Sequence, residues 1–197
     1  MTEYIDEKVE EWIKEVARLS EFAITQPQES NAVYTFGLKH RWAYFLRTLP
    51  DIQDLLQPLE NAIAKAFLPA ITEHECTQLE REILALQVRK GGLGVTNSYQ
   101  EAAVEYAAST KITAPLVEQI QSQRHELPDD FRIQSLKQIA RKDKNDAINE
   151  KAEVINISAS QRTKRMLEFA LEKGSSTWLT VIQTSDLIYI SVSSRMD

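Results

Sequence analysis

Apolar residues return along the N-terminal stretch at alternating steps of four and three, at Ile5, Val9, Trp12, Val16, Leu19 and Ala23. That rhythm places one stripe on one side of a helix, and Ile13 and Phe22 widen it. Gln26-Pro27 ends the helix, because proline disfavours helical geometry in the residue before it. The stripe packs against the rest of the chain, or it pairs with a second copy as a coiled coil through residues 5–23. The first use ranks ahead, since about three heptads is the lower limit for the second.

Further helices follow in quick succession. Ser30 or Asn31 is placed to cap a second helix carrying Tyr34, Phe36, Leu38, Trp42, Phe45, Leu46 and Leu49, which Pro50 stops. Asp51 reads as the cap of a segment with Ile52, Leu55 and Leu56. Pro58 falls in the first turn of a helix with Leu59, Ile63 and Phe67 on one face, and Pro69 closes it. Thr77-Gln78-Leu79-Glu80 has the form of a capping box, with Ile83, Leu84 and Leu86 inward and the glycines at 91–94 as the stop. Ser98-Tyr99-Gln100-Glu101 repeats that box ahead of Ala103, Tyr106, Ala107 and Thr110, and Pro115 opens a short helix with Leu116, Val117 and Ile120.

Leu127-Pro128-Asp129-Asp130 marks the best internal boundary. Beyond it a long polar helix is predicted from about Phe131 to Ile155, with a thin stripe of Leu136, Ala140, Ala147, Ile148 and Ala152. Ser158 or Ser160 caps a last helix through Met166, Leu167, Phe169, Ala170 and Leu171, and Gly174 follows its end. Trp178–Ile182 and Leu187–Val192 are rich in β-formers and form at most a marginal hairpin. The pattern therefore predicts an all-α, irregular multi-helix domain with a short C-terminal tail of β or disordered character. It divides into a helical domain over 1–127 with a glycine-rich turn at 91–94, a polar and a terminal helix over 128–174, and a divergent tail over 175–197.

Composition narrows the classes. A chain of 197 residues fits about one domain, and 43% hydrophobic with 26% charged residues is ordinary for a soluble protein. A formal charge of −6 argues against a dedicated polyanion binder. The charge is uneven, because Glu3, Asp6, Glu7, Glu10, Glu11, Glu15, Glu21 and Glu29 crowd the first 31 residues, whereas residues 132–173 hold ten Lys or Arg against six Asp or Glu. Cys76 is the one cysteine, which rules out an internal disulfide and points to a reducing compartment. The N-terminus lacks a basic start with an apolar stretch, and no apolar run approaches the roughly 20 residues of a membrane helix. An intracellular protein, cytoplasmic or nuclear, is expected.

Candidate chemistry is sparse. His40, His74 and His125 are scattered, and His74-Glu75-Cys76 has no second ligand cluster to complete a metal site. Gly91-Gly92-Leu93-Gly94 lacks the Gly-Lys-Ser/Thr ending of a phosphate loop, so a helix stop and tight turn explain it. No catalytic residue, metal, cofactor or small-molecule substrate is expected. One constellation fits nucleic acid, with Lys39, Arg41 and Arg47 among Tyr34, Trp42, Tyr44 and Phe45, and Arg89 and Lys90 beside the glycines. Cations neutralise phosphates and neighbouring rings stack on bases. The plainer reading, with Trp42 and Phe45 in the core and Lys39 and Arg41 on the surface, ranks ahead of it.

The blocks Gly37–Ile52, Leu55–Glu60, Leu79–Leu86 and Leu86–Val95, with Glu105–Ser109, Ile112–Leu116, Lys151–Ile155 and Glu172–Thr180, run in order along the chain. This series resembles the region downstream of the reverse transcriptase domain in animal retrotransposon polyproteins, of a cnidarian-like type. The resemblance implies that Gly91, Gly92 and Gly94 form that family's turn. The resemblance spans nearly the whole chain up to about Ile182, after which the text departs and reads as out-of-frame or newly spliced coding. It implies an ancestral place near the polymerase thumb and connection, helping to hold a template–primer duplex of RNA–DNA or DNA. The family's palm and its catalytic aspartates would lie ahead of Met1 and are not in this chain, so the resemblance implies no catalysis by this piece.

Overall fold

In the computed structural model, α1 (Thr2–Ala23) buries its entire predicted stripe, with Ile5, Val9, Trp12, Val16, Leu19 and Ala23 between 0 and 9% exposed. The structure describes residues 2–123 and 128–175, and every element among them is helical. α1 packs on α2 (Pro27–Val33), α4 (Gln57–Ala62) and α5 (Leu68–Thr72), so the chain's own helices cover the seam that a coiled-coil pair would use. Phe22 stays half exposed, and the stripe is narrower than expected.

α2 begins at Pro27, so Ser30 and Asn31 do not cap it and are instead buried inside it. A proline in the first turn loses no hydrogen bond, since the first N–H groups have no helical acceptor. A π-turn (Tyr34–Leu38) leads into α3 (His40–Thr48), which ends where Leu49 turns extended ahead of Pro50. Tyr34 is fully buried and stacks on Phe67 of a second π-turn (Ile63–Phe67), with ring centroids 4.9 Å apart. Trp42 meets Trp12 at 5.9 Å and Tyr34 at 6.0 Å, while Phe36 and Tyr44 point outward. One aromatic cluster thus joins α1, α3 and both π-turns.

Of the next three proline and cap assignments, two change. Asp51 caps nothing; its φ of +55° turns the chain after Pro50, a left-handed geometry that short polar side chains tolerate, and a single tight turn (Asp54–Leu56) follows. Pro58 does lie in the first turn of α4. Pro69, however, does not close a helix but sits in the first turn of α5, where the second π-turn hands over to α-helix and the missing N–H is harmless.

α6 (Gln78–Ala85) has the capping box in full, with the Glu80 amide donating to Thr77 Oγ1 at 3.3 Å and the Thr77 amide to Glu80 Oε2 at 2.8 Å. The glycines do not stop it. Leu86 turns extended first, a 3₁₀ turn (Val88–Lys90) follows, and Gly91 ends that turn with φ +84°. α7 (Ser98–Gln121) is capped by Asn97, whose side chain accepts from the Gln100 amide, and not by Ser98, which is buried. Pro115 opens no helix but lies within α7, where packing against α3 and α8 (Asp130–Ser158) outweighs a penalty of about 3 kcal/mol.

α8 is capped by Asp129 and runs as one polar helix. Of its predicted stripe, Ala140 is buried, Leu136, Ile148 and Ala152 are partly so, and Ala147 is exposed. Ser160, rather than Ser158, caps α9 (Gln161–Leu171), whose Leu167 faces Gly91. Gly174, with φ +91°, lies in a turn beyond Glu172, which has already left the helix. The predicted strands over 178–182 and 187–192 lie outside the described residues. No helix among the described residues is long and apolar enough to cross a membrane.

Candidate nucleic-acid interface

The glycine turn is built as a clasp, not as a cradle. The amides of Leu93 and Val95 both donate to the Leu84 carbonyl at 3.2 Å, and the Gly94 amide donates to Leu86 at 2.8 Å. A phosphate-binding loop presents free N–H groups to its ligand, whereas these are spent on the end of α6. Beneath the turn lies Arg81, 5% exposed, whose Nε and a terminal nitrogen donate to the Glu60 carboxylate at 2.7 and 3.0 Å. The same guanidinium donates to the carbonyls of Val95 at 2.7 Å and Thr96 at 3.3 Å. Its donors are therefore matched inside the protein, as a buried ion pair requires.

A second feature faces solvent. α7 and α8 form an antiparallel hairpin, because the pairs Gln100–Lys151, Glu105–Lys144, Lys111–Asp143 and Glu118–Arg132 climb one helix as they descend the other. Between them, Ala103, Ala107, Ala108, Ala140 and Ala147 are too small to fill the space, and a groove of about 800 Å³ results. Arg47, Lys111, Lys137, Arg141 and Lys144 line it, against the carboxylates of Glu105 and Asp143. Among the described residues, neither Lys137 nor Arg141 has an ion-pair partner.

Glu105 lies at the centre of this charge. One of its oxygens accepts from Arg47 Nε at 3.1 Å and the other from Lys144 Nζ. Burial pushes its carboxyl up, but those two cations outweigh burial and hold it below the usual carboxylate range. One turn earlier, Glu101 behaves oppositely. Burial there prevails, with Glu105 adding repulsion, and raises its pKa despite Lys144 nearby.

The sequence-predicted cations separate into groups. Arg47 lines the groove, and Lys39 lies half-buried near Glu101 and Lys144, its pKa lowered chiefly by burial. Arg41 is on another side of α3, paired with Glu15 of α1. Arg89 donates to Gln87 and, at 2.7 Å, to Asn145 of α8, while Lys90 follows it beside α9. The five therefore do not make one patch. Lys111, Lys137, Arg141 and Lys144 were missed as site residues; the basic excess over 132–173 was the signal for the last three, and Lys111 lies outside it. Trp42 is core and Phe45 partly buried against it, as the plainer reading has it.

His74, Glu75 and Cys76 form a polar corner, where the His74 ring meets the Thr72 carbonyl at 2.9 Å and Glu80 at 3.4 Å. No group of three or more His, Cys, Asp or Glu among the described residues is placed to hold a metal ion. Fold and surface together define an all-α protein with a cation-lined interhelical groove. Compared with family models, curated proteins and solved structures, the chain matches none.

Proposed function

We propose that this chain is a non-catalytic helical module of retroelement origin that weakly holds the sugar–phosphate backbone of a nucleic-acid duplex along the α7–α8 groove. The convergence of Arg47, Lys111, Lys137, Arg141 and Lys144 on that groove carries the reading. The ordered sequence blocks support the retroelement origin. Each phosphate neutralised releases counterions, which makes such contact steeply salt-dependent and largely blind to base sequence. The alanine floor lets a backbone approach closely without a clash. Weakness follows from the net charge of −6 and from the pairing of Arg47, Lys111 and Lys144 within the protein.

Anisotropy of a labelled RNA–DNA duplex, titrated from about 50 to 200 mM salt, tests the reading. Replacing Lys137 and Arg141 together by alanine is expected to weaken binding alike for unrelated sequences and to cut the salt slope by about 2. Binding that ignores salt, or that survives this double replacement unchanged, overturns it.

A further inference from the structure

We infer that Glu105 acts as a built-in stand-in for phosphate, competing with nucleic acid for Arg47 and Lys144 and so holding the affinity of the groove down. This rests on the proposed function of the groove and adds its regulation.

The geometry is that of a bridging anion. Arg47 comes from α3 and Lys144 from α8, and each grips a different oxygen of one carboxylate. Two non-bridging phosphate oxygens offer the same pair of acceptors, and charge-assisted hydrogen bonds of this kind are the strong ones. Exposure gives the direction of competition. The Glu105 side chain is 13% exposed, whereas those of Arg47 and Lys144 are 60% and 43% exposed, so an incoming backbone meets the cations from the solvent side.

Taking the cations away has a cost. Glu105 would be left shielded from water one turn from Glu101, another partly buried carboxylate, and a carboxylate stripped of its partner in such a place is strongly disfavoured. Lys111 is diverted in the same manner by Asp143, but there both groups stand largely in water, where such a pair is weak. Lys137 and Arg141 are therefore the cations that engage a duplex first, and Glu105 decides whether Arg47 and Lys144 join them.

The test compares the whole chain with its Glu105→Gln, Arg47→Gln and doubly substituted forms on a labelled RNA–DNA duplex, with circular dichroism melts to establish folding. Glu105→Gln is expected to bind roughly tenfold tighter at moderate salt, with a slope steeper by about 1 to 2. Arg47→Gln alone is expected to change affinity less than about twofold, yet to remove most of the gain when added to Glu105→Gln. A folded Glu105→Gln form that binds no tighter and with the same slope overturns the inference. Should Glu105→Gln fail to fold, Arg47→Gln decides. A loss as large as that of Arg141→Ala means that Arg47 is already free, and overturns it; near-silence supports it. Wild-type binding that falls on replacing Lys137 and Arg141 upholds the groove in either case. Absence of duplex binding by every form overturns the groove and this inference together.

Discussion

At Gly92 the backbone leaves no room for a side chain. A Cβ there would lie 2.1 Å from the Leu86 carbonyl oxygen and 2.4 Å from that of Ile83, both main-chain atoms that cannot swing aside. Gly92→Ala is expected to lower stability by about 2–4 kcal/mol in urea unfolding, through forced movement of the α6 end. Gly37→Ala meets nothing within 4 Å in a helical turn and is expected to be neutral or to gain up to about 1 kcal/mol. The glycine cluster was legible as a turn, because three glycines in four positions have few other uses. The Arg81–Glu60 pair was not legible, since its partners stand 21 residues apart. What marks them in retrospect is placement, for Glu60 sits beside Leu59 and three positions before Ile63, where a solvated charge does not belong.

Among the elements, the clearest periodicity made the most dependable prediction. The α1 stripe needs nothing beyond its own spacing, and all six positions are buried. Prolines were harder to read. The signal is the same whether a proline stops a helix, as Pro50 does, or sits inside one, as Pro115 does, because neighbouring helices decide whether the lost bond is tolerated. The two carboxylates of α7 separate in their response to acid. Glu105 is held below its unfolded pKa, so its stabilising contribution exists above the ordinary carboxylate range and is lost as pH falls through its folded pKa. Glu101 is raised, so the folded chain takes up that proton first, and stability grows as pH falls through the raised value toward the ordinary range. Glu101→Gln is accordingly expected to raise the melting temperature near neutral pH and to abolish that acid-side gain. Circular dichroism melts from neutral pH down through the carboxylate range measure both effects, and a variant that melts lower with the gain intact contradicts the assignment.

Across the whole molecule, charge is segregated. Among the described residues α1 meets another helix through one ion pair, Glu15–Arg41, so its acidic outer face does not neutralise the basic side of α8. A net charge of −6 averages those two faces and conceals the cations of the groove, which is why composition argued against the polyanion contact proposed for it. The groove was illegible for a second reason, because its cations come from three helices and only tertiary packing brings Arg47 beside Lys111 and Lys144. Arg81 carries the last consequence. Its guanidinium fastens the carbonyls of residues 95 and 96, which belong to no helix, to a carboxylate on α4. Opening that irregular segment would strip a buried charge, so it is expected to open only when the entire domain does. In deuterium exchange, the amides of Gly94 and Val95 should be as slow as those in the middle of α1. In Arg81→Met the same two amides should exchange far sooner than α1, so that a stretch with no regular structure loses its place in the most protected part of the chain.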